Sequence, residues 1–427
     1  MYGWPALRRD LIKEGGLSEK QLGAAFTAGA WSVQGGRFAV GLARDRFGTR
    51  YTVCACLAMV MIGSALIANA RSDNMAALVG GMLFLGMGSG AQLCCQPVTA
   101  LFHEAASTAM ASLSGAFQMS GLVFLILSAF SEVSGVGRQG AYLTHAAVVL
   151  VLFVLSASYL PLGGKYTDDD ISVGGKGMFR DEERPKEEPA KEAMESHDME
   201  QHAQEKVSVG GVMLAEVIHA EPPLKDRPLK DLLTSAEYLG LLGWFSIIVT
   251  PSQYYVLSIG YQLEQKGDGD GTYTRLFTLL YGGSAILAPL GGMIADVFGV
   301  GFGQCAATVL TSASFLILLS PSLDFLQVLG MAFYSVGRLF IFALYFSNIG
   351  RRLGFAHYGT LAGTGMLTSA IISMLQYPLF TAAIDGGIDE VNWWCAAVIV
   401  ACVPYTMWLS LKERREKRAA NTSSLLR

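Results

Sequence analysis

The sequence predicts an all-α, polytopic membrane protein built as two helical bundles joined by a long charged connection. Three observations carry this. The 427 residues are 52% hydrophobic and only 15% charged, with a mean hydropathy of +0.40, whereas soluble domains carry about 25% charged residues. The charges are segregated, with 10 basic and 17 acidic residues between Lys165 and Asp231. The uncharged stretches on either side reach the length of membrane helices, about 20 mostly apolar residues. The net charge of −4 is too small for a polyanion-binding surface, so nucleic acid is excluded as a partner. A disordered chain and an ordinary soluble enzyme are excluded by the same composition.

Reading the gaps between charges gives the elements in order. They are 21–43 (interrupted by Arg37), 51–70, 74–102, 105–131 and 139–164. After the connection come 238–263, 276–295, 297–323, 325–350 (interrupted by Arg338), 353–384 and 391–411. Eleven transmembrane helices are therefore expected, in an N-terminal bundle over 1–164 and a C-terminal bundle over 238–411. Between them 165–237 reads as a charged, disordered cytoplasmic loop, rich in Asp, Glu, Lys and Pro. Its His197, His202 and His219 read as scattered surface histidines. Residues 412–427 form a basic tail. Lys and Arg concentrate in the connections on the tail's side, Arg44, Arg46, Arg50, Arg351 and Arg352 among them. The positive-inside rule places that side in the cytoplasm and, with eleven spans, the N-terminus outside. No cleavable signal peptide is visible in residues 1–20. The seven cysteines lie in apolar stretches without metal-site spacing, so no metal is expected.

The two bundles carry a repeated signature. Gly41-Leu-Ala-Arg-Asp45-Arg46-Phe-Gly48, continuing to Arg50, matches Gly292-Met-Ile-Ala-Asp296-Val-Phe-Gly299. Each copy leaves a span that crosses toward the basic side. Glycines permit a tight turn there, and the aspartate can cap a helix or pair with arginine. A simple turn with topology-setting arginines is the plainer alternative. The second copy lacks basic residues after Asp296 and reads as the weaker latch. Internal duplication of this kind is how many transporters are built.

The pair of signatures resembles the cytoplasmic loop motif of the major facilitator superfamily. The resemblance implies twelve helices in two pseudo-symmetric six-helix bundles, with both ends in the cytoplasm. Residues 2–7 then read as the outer end of a first helix of which most is missing, with Gly3-Trp4 closing it. Further stretches resemble the L-type (large neutral) amino acid transporter branch and its protist and fungal relatives. They are Phe26-Thr-Ala-Gly29, Leu113-Ser-Gly-Ala-Phe-Gln118-Met-Ser-Gly121, Tyr358-Gly-Thr-Leu-Ala-Gly363 and Leu375-Gln376-Tyr-Pro378-Leu-Phe380. That resemblance implies transport of amino acids down their gradient, with the solute and the lipid bilayer as partners and no obligate protein partner or cofactor. Carriage of other organic anions such as monocarboxylates is the alternative within transport. A non-transporting, transporter-like sensor is the alternative outside it.

Arg338 is the sharpest candidate for contact with solute or for gating, the alternative being an arginine satisfied by backbone carbonyls of a neighbouring broken helix. A charge at the middle of a span costs about 2.5–3.5 kcal/mol on insertion scales and usually serves function, and guanidinium binds carboxylate bidentately. Arg37 lies seven residues before Arg44 and is expected to snorkel to the interface. Gln118, Gln253, Tyr254, Tyr281, Tyr334 and Gln376 supply neutral polar groups within spans. Pro251 and Pro289, with Gly282-Gly283 and Gly291-Gly292, mark expected breaks in the seventh and eighth helices of the resemblance's scheme. Ser120-Gly121 and the glycines at 86, 88 and 90 read as close-packing sites. Only His145 lies well inside a span, with His103 and His357 near cytoplasmic loops. That favours facilitated movement over proton symport. No span holds a paired nucleophile and base, so no catalytic residues are assigned.

Overall fold

Long apolar helices bond their backbone groups internally, which is what a hydrocarbon environment requires, and the described residues meet that requirement with helices. The computed structural model describes residues 3–71, 74–95, 106–160, 224, 227–354 and 357–425, and among these no strand occurs. Among the described residues, eight helical stretches are long and apolar enough to cross a membrane: 49–68, 75–95, 112–134, 137–159, 272–298, 300–318, 325–353 and 358–418. The last, 61 residues long, suffices for two crossings.

The first part contains α1 (Trp4–Gly15), α2 (Glu19–Phe47), α3 (Thr49–Ala68), α4 (Met75–Gly88), α5 (Ala91–Cys95), α6 (Ala106–Met119), α7 (Gly121–Ser134) and α8 (Gly137–Tyr159). The second contains α9 (Leu229–Thr234), α10 (Ala236–Gln265), α11 (Thr272–Gly283), α12 (Ala288–Phe298), α13 (Val300–Leu318), α14 (Phe325–Asn348), α15 (Tyr358–Ser373), α16 (Gln376–Ala382), α17 (Ile388–Val400) and α18 (Val403–Leu425). With α2 and α10, and with 358–418 taken as two passes, all eleven expected spans are helical where described. α10 is less apolar because its Ser246, Thr250, Ser252, Gln253, Ser258 and Gln262 are all buried in protein. α8 shows the opposite environment. Its Leu143, Val148, Leu150, Val151, Val154 and Leu155 are exposed, the surface a lipid-facing helix presents.

Packing divides by halves. α3 packs on α4 and α8, and α2 on α4; α13 packs on α14, α17 and α18. Glycine sets the spacing in the first half. A Cβ at Gly86 would stand 2.7 Å from Gly29 O, and one at Gly88 2.7 Å from Cys56 O, so α4 approaches α2 and α3 backbone to backbone. The halves meet where α2 packs on α15 and α16, α6 on α12 and α14, and α1 on α10.

Four sequence expectations need correction. Helix one does not close at Gly3-Trp4: a helix begins there, with Pro5 in its first turn, and runs to Gly15. The charges at 8–10 end an apolar window but not a helix, since Leu7 and Leu11 are buried and Arg8 is neutralised by carboxylates. α10 continues through Pro251, since proline is tolerated inside a membrane helix that is enclosed by protein. Arg37 does not reach the interface; it is 1% exposed. The end of the presumed linker is structured: Leu232 is buried and Ser235 caps α10 through the Tyr238 amide at 3.2 Å. The remainder of 165–237, with its three histidines, lies outside the described residues, as do His103 and the Asp45 side chain.

Candidate functional site

The eighth helix of the scheme breaks where proline and glycine coincide. α11 stops at Gly283, Ser284–Leu287 form a 3-10 turn, and α12 restarts with Pro289 in its first turn. Proline lacks an N–H and so removes the bond that would continue the helix. Gln118 of α6 fits against this break. Its amide Nε2 lies 3.0 Å from Tyr281 O, 2.6 Å from Ser284 Oγ and 3.1 Å from Ser335 O of α14. One first-half side chain is thus held by two helices of the second half, at a buried position.

α14 supplies the wall. Tyr334, Arg338, Phe342 and Phe346 recur every four residues and so share one face. The Tyr334 ring stacks on Tyr255 at 3.8 Å and lies 6.0 Å from Tyr281; its hydroxyl donates to Ser252 O of α10. Arg338 is 1% exposed and its Cζ stands 4.6 Å from the Phe342 ring centroid. From the first half, Arg37 Cζ lies 4.2 Å from the Phe117 centroid and 5.9 Å from that of Phe346. Arg37 Nη2 donates to Gln92 Oε1 at 2.9 Å, and Gln92 Nε2 to Leu113 O at 3.0 Å.

Of the sequence candidates, Gln118, Tyr281 and Tyr334 therefore come together, and Arg338 follows Tyr334 by one turn of α14. Tyr254 does not: it stacks on Phe315 at 6.4 Å and accepts from Gln262 at 3.3 Å, inside the second half. Gln253 is buried on α10. Gln376 is fully buried at the start of α16, with neither amide atom hydrogen-bonded among the described residues. Arg37 joins the site, and the seven-residue offset from Arg44 concealed this because it invited a snorkelling reading. His145 lies apart, bonded to Ser64 between α3 and α8 at 2.8 Å.

The two signatures occupy equivalent turns. Gly48 (φ 85°) joins α2 to α3 and Gly299 (φ 97°) joins α12 to α13, both in the region that favours glycine. Gly41 comes close to Gly359 O across the halves, Arg46 lies over Phe47, and Arg50 donates to Leu160 O. Buried Gly292 lies on α12. The second signature has a basic partner that its own sequence lacks: Arg351, after α14, bonds Asp296 at 2.9 Å. Alongside it, Arg352 and Lys412 bond Glu237 at 2.6 and 2.7 Å, and Arg352 bonds Glu416 at 3.1 Å. Glu413 caps α13 through the amides of Val300 and Gly301. This cluster ties α10, α12, α14 and α18 at one end.

Burial by itself would raise the Glu237 carboxyl, but Arg352 and Lys412 reverse this and hold it below its ordinary value. The folded state therefore favours the carboxylate. Its stabilisation is complete above the ordinary carboxylate range and is lost as pH falls through the lowered value. Glu237→Gln is expected to cost about 3 kcal/mol at pH 7 and to flatten the loss of thermal stability below about pH 4. Melting curves in detergent across pH would show both effects; parallel curves would refute them.

At the opposite end the ion pairs cross between halves. Arg8 of α1 bonds Glu264 of α10 bidentately at 2.9 Å and also holds Glu19 of α2. Lys20 pairs with Asp385 at 3.1 Å, Arg275 lies 3.7 Å from Glu132, and Arg9 donates to Gly269 O at 3.1 Å.

The family model described as Major Facilitator Superfamily matches residues 3–376. No curated protein matches the chain significantly.

Proposed function

The chain belongs to the major facilitator superfamily and is a multi-pass membrane protein that moves a small solute across the bilayer; we propose that this solute is a carboxylate-bearing organic molecule, an amino acid in the first instance. The observation that carries the reading is the buried Arg338, on a helix that shares Gln118 with the break between α11 and α12. Guanidinium is the natural partner of a carboxylate. A broken helix offers backbone donors and acceptors to the rest of the solute. In this proposal the two halves rock about the shared site, and the domain boundaries follow the bundles at 1–164 and 238–411. The uninterrupted spans contain no Asp or Glu, which supports facilitated movement or exchange over proton coupling.

The same lack of acidic residues favours a second reading, an organic anion such as a monocarboxylate, since a zwitterion also needs a partner for its ammonium. Purified full-length protein in liposomes, assayed for leucine uptake against unlabelled leucine, arginine and lactate, tests the choice. Inhibition by leucine and not lactate supports an amino acid, and lactate uptake without leucine uptake supports a monocarboxylate. Uptake of none of these or of other carboxylates overturns the proposal.

A further inference from the structure

The last helix, α18, has two different sides. Leu409 on one side is buried, and Lys412, Glu413 and Glu416 follow it there, bonding Glu237, the Val300 and Gly301 amides, and Arg352. The other side begins with Met407, Trp408 and Leu411, all exposed, the surface of a lipid-facing helix. Met407, Leu411, Arg414 and Arg418 stand at i, i+4, i+7 and i+11, with Trp408 and Arg415 seven residues apart beside them. The apolar stripe therefore runs straight into a stripe of arginines. All three arginines are exposed. Arg414 and Arg415 enter no ion pair or hydrogen bond among the described residues.

The stripe changes character where a membrane surface would meet it. Charge begins directly after Leu411, and Trp408, 6.0 Å from Tyr405, is of the residue type that collects at the interface. Arg414 to Arg418 lie about 5–10 Å beyond Leu411 along the axis. The headgroup layer is about 5–8 Å deep, within reach of long arginine side chains. The basic connections assign this end to the cytoplasm, whose leaflet carries the anionic lipids.

We propose that Arg414, Arg415 and Arg418 form a binding surface for the headgroups of anionic phospholipids in the cytoplasmic leaflet. Phosphate and carboxylate groups, both present in phosphatidylserine, are acceptors that the guanidinium fork binds well. Setting topology does not require this alignment, because the positive-inside rule counts charges near a span and is indifferent to the face they occupy. On the opposite side of the same turns Lys412 and Glu416 bond Glu237 and Arg352. Headgroups drawn to the arginines therefore also steady the cluster that ties α18 to α10 and α14. The inference is independent of the solute.

The test uses full-length protein in neutral detergent, wild type and the triple variant Arg414→Gln, Arg415→Gln, Arg418→Gln, melted with added phosphatidylserine, phosphatidylcholine or inorganic phosphate. A lipid that binds the folded state raises its melting temperature with concentration. Wild type is expected to respond to phosphatidylserine and not to phosphatidylcholine or phosphate, and to lose the response at raised ionic strength. A basic residue at an anionic surface is worth about fivefold in affinity. The triple variant, with its basal melting unchanged, should therefore need at least about tenfold more phosphatidylserine for half its effect. The corresponding triple lysine variant should stay close to wild type. Equal responses to the two lipids in wild type, or equal phosphatidylserine responses in wild type and the triple variant, overturn the inference. A shift reproduced by inorganic phosphate overturns the assignment to lipid. Should the triple variant fail to fold, Arg414→Gln alone decides by the same comparison.

Discussion

Arg338→Ala is expected to abolish uptake while the protein reaches the membrane in normal amounts. The two halves of that expectation have separate physical origins. Removing a charge from the middle of a span relieves an insertion cost of about 2.5–3.5 kcal/mol, so the variant should insert at least as well as wild type. Solute binding meanwhile loses a charge-assisted, bidentate contact in a buried site. Truncating one member of such a pair typically costs about 2–5 kcal/mol, which is roughly 30-fold or more in affinity. Arg338→Lys keeps the charge but loses the planar fork and should retain a fraction of the activity. Uptake, normalised to the amount of folded protein by fluorescence-detected gel filtration, decides the matter. Unimpaired transport by Arg338→Ala would remove this residue from the solute site.

Arg8→Ala is expected to open the end of the molecule opposite the basic loops. Arg8 is buried beneath α1 and holds Glu19 and Glu264, which lie on different halves and are 25% and 34% exposed. Its removal leaves two carboxylates facing each other without a cation. Their partial exposure moderates the penalty, so a cost of roughly 2 kcal/mol to the closed state is expected, a population shift of about 30-fold. Spin labels at positions 20 and 385, which form a second cross-half pair at 3.1 Å, would report it as a longer distance distribution. Glu19→Gln with Glu264→Gln removes the repulsion as well as the pairing and should open that end less. An unchanged distribution in Arg8→Ala would show that apolar packing of α1 against α10 closes this end without the ion pairs.

Much of the fold was legible in the sequence because lipid leaves few options. Charge gaps located the spans, and the glycines of the repeated signature located two turns whose φ angles of 85° and 97° exclude most other residues. Pro289 with Gly282-Gly283 located the broken helix. The same reasoning misplaced features wherever a charge was internal. Arg8 ended an apolar window yet sits within a helix, because its neutralising carboxylates lie 11 and 256 residues away. Asp296 lacked a local basic partner, and Arg351, 55 residues on, supplies it. Arg37 passed for an interfacial arginine because proximity in sequence to Arg44 says nothing about which helices enclose it.

By itself, then, the sequence determined an all-helical membrane protein with a duplicated loop motif, since hydropathy, charge spacing and proline are local properties of the chain. The tertiary structure alone decided which polar groups meet. Gln118 on the break of the eighth helix, Arg37 and Arg338 along one aromatic stripe, and Arg8 between two glutamates are all products of helix packing. The physical reason is that a charge or amide in an apolar span must be satisfied, while its partner is chosen by which faces pack together, and single-span periodicity does not encode that choice.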